Sequence, residues 1–421
     1  MAIASANVIK GKYYELLKGV SLEPGINREY VYLGKSYGRN SLLLGWDPKL
    51  ALNAAQVIHK SSPEVSEEAI RSELQNSIVS LFEARYVSED ASPELDAPIV
   101  MSLLDSLEPE QVDSEIQRLL TTVMSIVKDW TAFIFIEGLE LSIPELQLAD
   151  AILYPSTSGP LWTLLQEIPI TAWRETISEL VSEANEQCHT YLAVGVHGDK
   201  NHASSEALRL SQKVVAILTL YMVTTNHRQR LFRDIGVLGY PREDRCKLIV
   251  ICTPPFSTVT DQRYWAINEQ ADSLHYHSIE AETLEYWQSL GLEVVMDCCK
   301  AKDNSQNPAS IRINNSITWY CRAMNAITMD EQYVAMVTAL ESLLVADEEV
   351  SITQRLADSV SMLFGNNLEQ RMKLIKMTKE LYKTRCDIVH KGIPCSRENL
   401  LLLNLMVVGV IQAFARREMK S

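Results

Sequence analysis

No Cys-x-x-Cys pair occurs in this 421-residue chain, whose eight cysteines stand at 188, 246, 252, 298, 299, 321, 386 and 395. Eight thiols in a chain this long do not make a disulfide scaffold. The adjacent Cys298 and Cys299 suit neither a bridge to each other nor zinc-ligand spacing. Reduced thiols in a cytoplasmic protein are therefore expected. His189, His197, His202 and His227 are read as structural or surface histidines rather than a metal site, which Asp199 alone does not complete. No cofactor loop is present. Gly34-Lys35-Ser36 ends like a phosphate loop, but that loop needs a glycine five residues earlier, where Glu29 stands. No low-complexity tract occurs, and the N-terminal Met-Ala-Ile-Ala-Ser-Ala-Asn lacks the basic-then-apolar layout of a secretion signal. The longest apolar stretches, Val214–Val223 and Leu400–Val410, fall short of the ~18 residues of a membrane span and predict buried helices.

Positive charge is also short. The net charge is −15, which makes the chain a poor general nucleic-acid binder. The deficit is uneven: residues 311–421 hold 14 basic against 12 acidic side chains, +2, and the remainder carries −17. Arg371, Lys373, Lys376, Lys379, Lys383, Arg385 and Lys391 crowd one segment against Glu380 and Asp387. Such a run is either a solvated helix face or a local binding stripe.

The length exceeds one ordinary core. Composition and pattern divide the chain into residues 1–150 and 151–305, both mixed α/β, and 310–421, nearly all helix. The overall class is α+β. Tyr30–Leu33, Ser41–Trp46, Trp130–Ile136, Tyr191–Val196, Lys247–Cys252 and Leu292–Met296 read as strands. Pro48–Lys60, after the N-cap Asp47, reads as a helix, as do Ser66–Tyr86, Glu108–Lys128, Thr171–Gln187 and Ser204–Thr224. Ser92–Pro98 reads as a linker, and Asp303–Pro308 is the clearest boundary. Beyond it come five helices, near Ile311–Ala326, Glu331–Ala346, Ser351–Phe364, Leu368–His390 and Asn399–Arg417. Short loops between such helices describe an antiparallel bundle. Glu341 lies within an apolar helix face, where it either orients a polar group or stands exposed.

The fourth of these helices carries Arg385 and, five residues on, His390. Arginine is a permanent cation whose planar fork suits phosphate. Histidine exchanges protons near neutral pH. Together they are the minimum equipment for cutting RNA without a metal: the 2′-hydroxyl loses a proton, the leaving 5′-oxygen gains one, and the phosphorane between them needs a cation.

The residues around this pair resemble a HEPN domain of the kind related to the abortive-infection protein ApeA. Ile317-Thr-Trp-Tyr320 with Ala323, Ala339-Leu-Glu-Ser-Leu-Leu344, Arg355-Leu-Ala357 with Leu363, and Leu381-Tyr382-Lys-Thr-Arg385 with Ile388-Val-His390-Lys-Gly392 follow in order. The last is similar to the family's R-x4-6-H motif. The resemblance covers about a quarter of the chain. It implies a four- or five-helix bundle that pairs with a second copy, so that two Arg/His motifs form one composite ribonuclease site. It also implies metal-independent cleavage to 2′,3′-cyclic phosphate and 5′-hydroxyl ends in a prokaryotic antiviral-defence or toxin effector. On this reading Arg385 and His390 are catalytic, and Lys379, Lys383 and Lys391 guide RNA. The N-terminal regions sense a trigger or bind a protein partner. Tyr382 hydrogen-bonds a phosphate or packs. Asp387 orients His390 or opposes the phosphate by its charge. Where the family often has a polar residue after the arginine, this chain has Cys386. The alternative is a non-catalytic HEPN module that binds nucleic acid or a partner within a larger complex.

Overall fold

A computed structural model describes residues 3–20, 29–37, 40–86, 107–167, 182, 189–225, 236–237, 247–253, 257–263, 277–300, 307–345 and 351–418. The expected linker at Ser92–Pro98, nearly all of the expected helix at Thr171–Gln187, His227 and the start of the boundary at Asp303 lie outside the described residues. The chain divides into two compact units, residues 1–130 with 196–205, and residues 131–195 with 206–421. The fold is helix-rich and mixed α+β.

The first unit contains α1 (Ile3–Lys18), the antiparallel pair β1 (Glu29–Tyr37) and β2 (Asn40–Trp46), then α2 (Pro48–Ser61), α3 (Glu67–Tyr86) and α4 (Pro109–Ser125). The start of α2 is set as the sequence predicts: Pro48 occupies the first turn, and the Asp47 carboxylate accepts from Lys49 N at 2.9 Å. Ile9, Tyr13, Leu16, Ile58, Leu74 and Ile116 belong to one apolar core. Asp199, nearly fully buried, accepts from Ser66 N at 2.6 Å, Ser66 Oγ at 2.9 Å and Asn201 N at 3.0 Å, so its charge is satisfied by donors.

In chain order the next elements are β3 (Lys128–Glu137), β4 (Leu139–Leu141), β5 (Leu146–Leu148), β6 (Ala151–Pro155), α5 (Pro160–Glu167), β7 (Thr190–Gly198), α6 (Lys200–Thr225), β8 (Gly236–Val237), β9 (Lys247–Thr253), β10 (Ser257–Arg263) and β11 (His277–Ile279). Their sheet runs β10-β9-β3-β7-β6-β5, with β8 on β3, so it draws strands from both sides of residue 150. β9 is antiparallel to both β10 and β3, and β6 to both β5 and β7; β11 pairs separately with β4, in parallel.

Helices then take over: α7 (Ala281–Ser289), α8 (Leu292–Cys299), α9 (Pro308–Asn325), α10 (Met329–Leu344), α11 (Ile352–Phe364), α12 (Leu368–Lys391) and α13 (Arg397–Glu418). The expected strand at Leu292–Met296 is a correction: these residues open α8. Leu292, Val295, Met296 and Cys299 are buried, a spacing of three, four and seven that belongs to a helix, and Gly291 in a left-handed conformation starts it. A short apolar run does not distinguish strand from helix by itself.

Several ends of the last helices have a local cause. Asn307 caps α9, Thr328 and Glu331 form a capping box on α10, and Asn367 caps α12. α12 stops at Gly392, whose φ of 64° is a left-handed conformation that glycine adopts without strain. Ile393 N then bonds back to Asp387 O at 3.2 Å, which closes the turn.

Buried polar groups tie the second unit together. Lys213 on α6 donates to Asn314 Oδ1 on α9 and, at 3.5 Å, to the Cys299 carbonyl on α8. Burial pushes the Cys299 thiol up to about 12, the behaviour of an inert core cysteine. Tyr320 OH donates to Asn404 Oδ1 at 3.1 Å, joining α9 to α13, and burial pushes its phenol well above the ordinary range. Segments of α6 (Lys200–Thr224) and α13 are long and apolar enough to cross a bilayer; more than half of each apolar window is buried inside the protein, as in core helices.

The Tyr320–Asn404 bond gives a stability test. Tyr320→Phe leaves the buried Asn404 oxygen without its donor and is expected to cost about 1–3 kcal/mol. Adding Asn404→Leu removes the stranded oxygen and is expected to recover part of that loss. Denaturant titration followed by circular dichroism measures both, and an unchanged midpoint in the single variant contradicts the role given to the bond.

Candidate functional site

α12 holds most of the residues singled out in the sequence, and it is unusually bare. Of its 24 residues only Thr378 and Leu381 are buried. Side chains of α10 and α13 hold this helix. Tyr333 OH on α10 donates to the Leu381 carbonyl at 2.9 Å. Thr378 meets Met406 of α13. Asn399 Nδ2 reaches Thr384 Oγ1 at 3.5 Å. Beyond its end, Asp330 Oδ1 accepts from Cys395 N at 2.8 Å, which fixes the loop after Gly392.

Arg385 and His390 part company on this helix. At 100° per residue, positions five apart point about 140° away from each other. Arg385 is half-buried on the side facing the bundle, and His390 is exposed in the last turn. Arg385 Nε is buried without a hydrogen-bond partner. The side chains brought together are instead Arg385, Tyr382 and Glu341. The Arg385 guanidinium carbon lies 5.9 Å from the centre of the Tyr382 ring. The Tyr382 phenol is raised above its ordinary value, first by burial and next by the Glu341 carboxylate, while Arg385 pulls it down. Glu341 Oε1 and Arg385 Nε are both buried without hydrogen-bond partners, and no ion pair joins Glu341 to Arg385 among the described residues. Of the two openings left for Glu341, the structure selects a half-buried carboxylate beside Tyr382 rather than a solvated one.

Asp387 is engaged by Lys391 at 2.6 Å. Lys391 holds the Asp387 carboxyl below the usual range and is itself raised by it. An acid four residues before a lysine is a helix pair readable in the sequence, and it was the available sign that Lys391 has a partner on its own helix. Lys373 is likewise paired with Glu369 at 2.7 Å. Lys379 and Lys383 are exposed and have no such partner among the described residues. Cys386 is half-buried beside the motif. No group of three or more His, Cys, Asp or Glu side chains is placed to hold a metal among the described residues. His197 is paired with Asp129 at 2.8 Å on the first unit.

No protein-family model, no curated protein and no solved structure matches this chain.

The Glu341–Tyr382 contact predicts a titration. Glu341→Gln removes the carboxylate that disfavours the phenolate, so the Tyr382 phenol is expected to titrate at lower pH. Carbon-13 NMR of ring-labelled tyrosine, with Tyr382→Phe to assign the signal, reads the shift; an unmoved midpoint would mean that the carboxylate does not act on the ring.

Proposed function

We propose that the helices from residue 310 onward form a HEPN bundle and that the protein is a metal-independent endoribonuclease, acting in prokaryotic antiviral defence. In this reading His390 exchanges protons and Arg385 stabilises the phosphorane. The 2′-oxygen bonds to phosphorus, the bond to the 5′-oxygen breaks, one histidine takes the 2′ proton and a second supplies a proton to the leaving oxygen. The products are a 2′,3′-cyclic phosphate and a 5′-hydroxyl.

The observation that supports this most is the division on α12. A half-buried guanidinium with an unpartnered Nε and an exposed imidazole stand on different sides of the same helix. One chain does not aim both at one phosphate; two copies supply two histidines and two arginines to a shared site. A homodimer follows from this reading. The regions before residue 305 take the part of sensing a trigger or a protein partner, in the cytoplasm.

One observation favours the alternative, a non-catalytic HEPN module. Asp387 stands three residues before His390 and Lys391 holds it ionised, and a carboxylate there repels a phosphate.

Cleavage of labelled RNA in EDTA separates the two. Arg385→Ala and His390→Ala are each expected to lose about 100-fold or more in rate, the scale of lost acid–base or oxyanion assistance. Mixing the two variants is expected to give a rate that is not the sum of the separate rates, because the site is shared. Equal cutting by wild type and both variants would sink the ribonuclease reading.

A further inference from the structure

We propose that the solvent face of α12 is a track for the phosphate backbone of a single-stranded nucleic acid, running along the helix axis and ending at His390. The first ground is charge. Residues 371–391 hold seven basic and two acidic side chains, +5 in a chain of −15. A cluster of that sign in an acidic protein confines a polyanion to one place.

The second ground is which cations remain free. Lys373 is taken by Glu369 and Lys391 by Asp387, at 2.7 and 2.6 Å. Lys376 reaches Glu380 only at 4.0 Å, with 80% of its side chain exposed. Lys379 and Lys383 are exposed with no ion pair among the described residues.

The third ground is alignment. At 100° per residue, Lys376, Lys379, Lys383 and His390 fall within an arc of about 60°, and the row from Lys376 to His390 is about 21 Å long. Arg385 lies outside this arc. The row is one cation wide. Glu380 and Asp387 border it on one side, and the lysines beside them there, Lys373 and Lys391, are already paired, so no second row of free cations stands ready for the second backbone of a duplex. A single strand fits the row and a duplex does not.

The end point at His390 rests on the ribonuclease reading; the track rests on charge, exposure and alignment alone. If both hold, cleavage requires a strand that reaches back along α12, and a dinucleotide is cut far more slowly than a longer oligonucleotide.

The test uses the full-length protein and a uniformly 2′-O-methylated oligouridine, which has no free 2′-hydroxyl to react. Fluorescence anisotropy over a series of KCl concentrations gives the slope of log K against log salt. Lys379→Gln and Lys383→Gln are each expected to make that slope shallower by about 0.7, the release from one single-strand phosphate contact. Lys373→Gln, already neutralised on its own helix, is expected to change it little. An unchanged slope in the Lys379→Gln/Lys383→Gln double variant overturns the track. So does tighter binding of a duplex of equal length, or binding of polyglutamate or anionic vesicles but not of the oligonucleotide. Oligonucleotide binding with the expected slopes, in a protein that cuts no unmodified RNA, leaves the track standing and removes the nuclease.

Discussion

The hydrogen bond from Tyr333 to the Leu381 carbonyl, buried beside the packed Leu381 side chain, is the anchor on which the candidate site depends. α12 offers almost nothing else to the core, with Thr378 the only other buried residue along its 24. A helix gripped along so narrow a line keeps most of its circumference for other work. The line also sets the helix rotation. With Leu381 turned inward, Arg385, about a turn further on, is carried toward Glu341, and His390 is carried out to solvent. Slack in that grip would be felt on both sides at once.

The same rotation sorts the charges. On the bundle side stands a cation with an unpartnered Nε, near an aromatic ring and a carboxylate that it does not reach as an ion pair. Buried polar atoms are usually satisfied, so Arg385 Nε and Glu341 Oε1 are among the places where this unit leaves polar groups unpaired. On the solvent side are lysines, some neutralised along the helix by acids one turn away. The pairs Lys373–Glu369 and Lys391–Asp387 are exposed and contribute little to stability. Their effect is on recognition: they subtract two cations from the stripe and leave Lys379 and Lys383 as its free centre.

Several features were legible in the residues alone, each through a local rule. Asp47-Pro48 set the start of α2, Gly392 the end of α12, and the 3.6-residue spacing of apolar side chains the five last helices within a few positions. Leu292–Met296 was not legible, because four apolar residues in a run of five suit a strand and a helix equally and the burial of Cys299 one turn later decided between them. The site divided in the same manner. Arg385, His390 and their 140° separation follow from spacing once the helix is granted. That Glu341 approaches Tyr382, 41 residues away, does not follow from spacing at all.

The sequence by itself determined where capped helices such as α2 and α12 begin or stop, the acidic balance of the chain, and the concentration of positive charge in residues 371–391. These depend on neighbours within one or two turns, where backbone geometry fixes who meets whom. Tertiary structure alone decided which side of α12 faces the bundle, that Lys213 spends its charge on Asn314 and the Cys299 carbonyl, and that Arg385 rather than His390 is carried inward. Those outcomes depend on packing between elements far apart in the chain, and packing responds to the volume and shape of all the side chains that share a core.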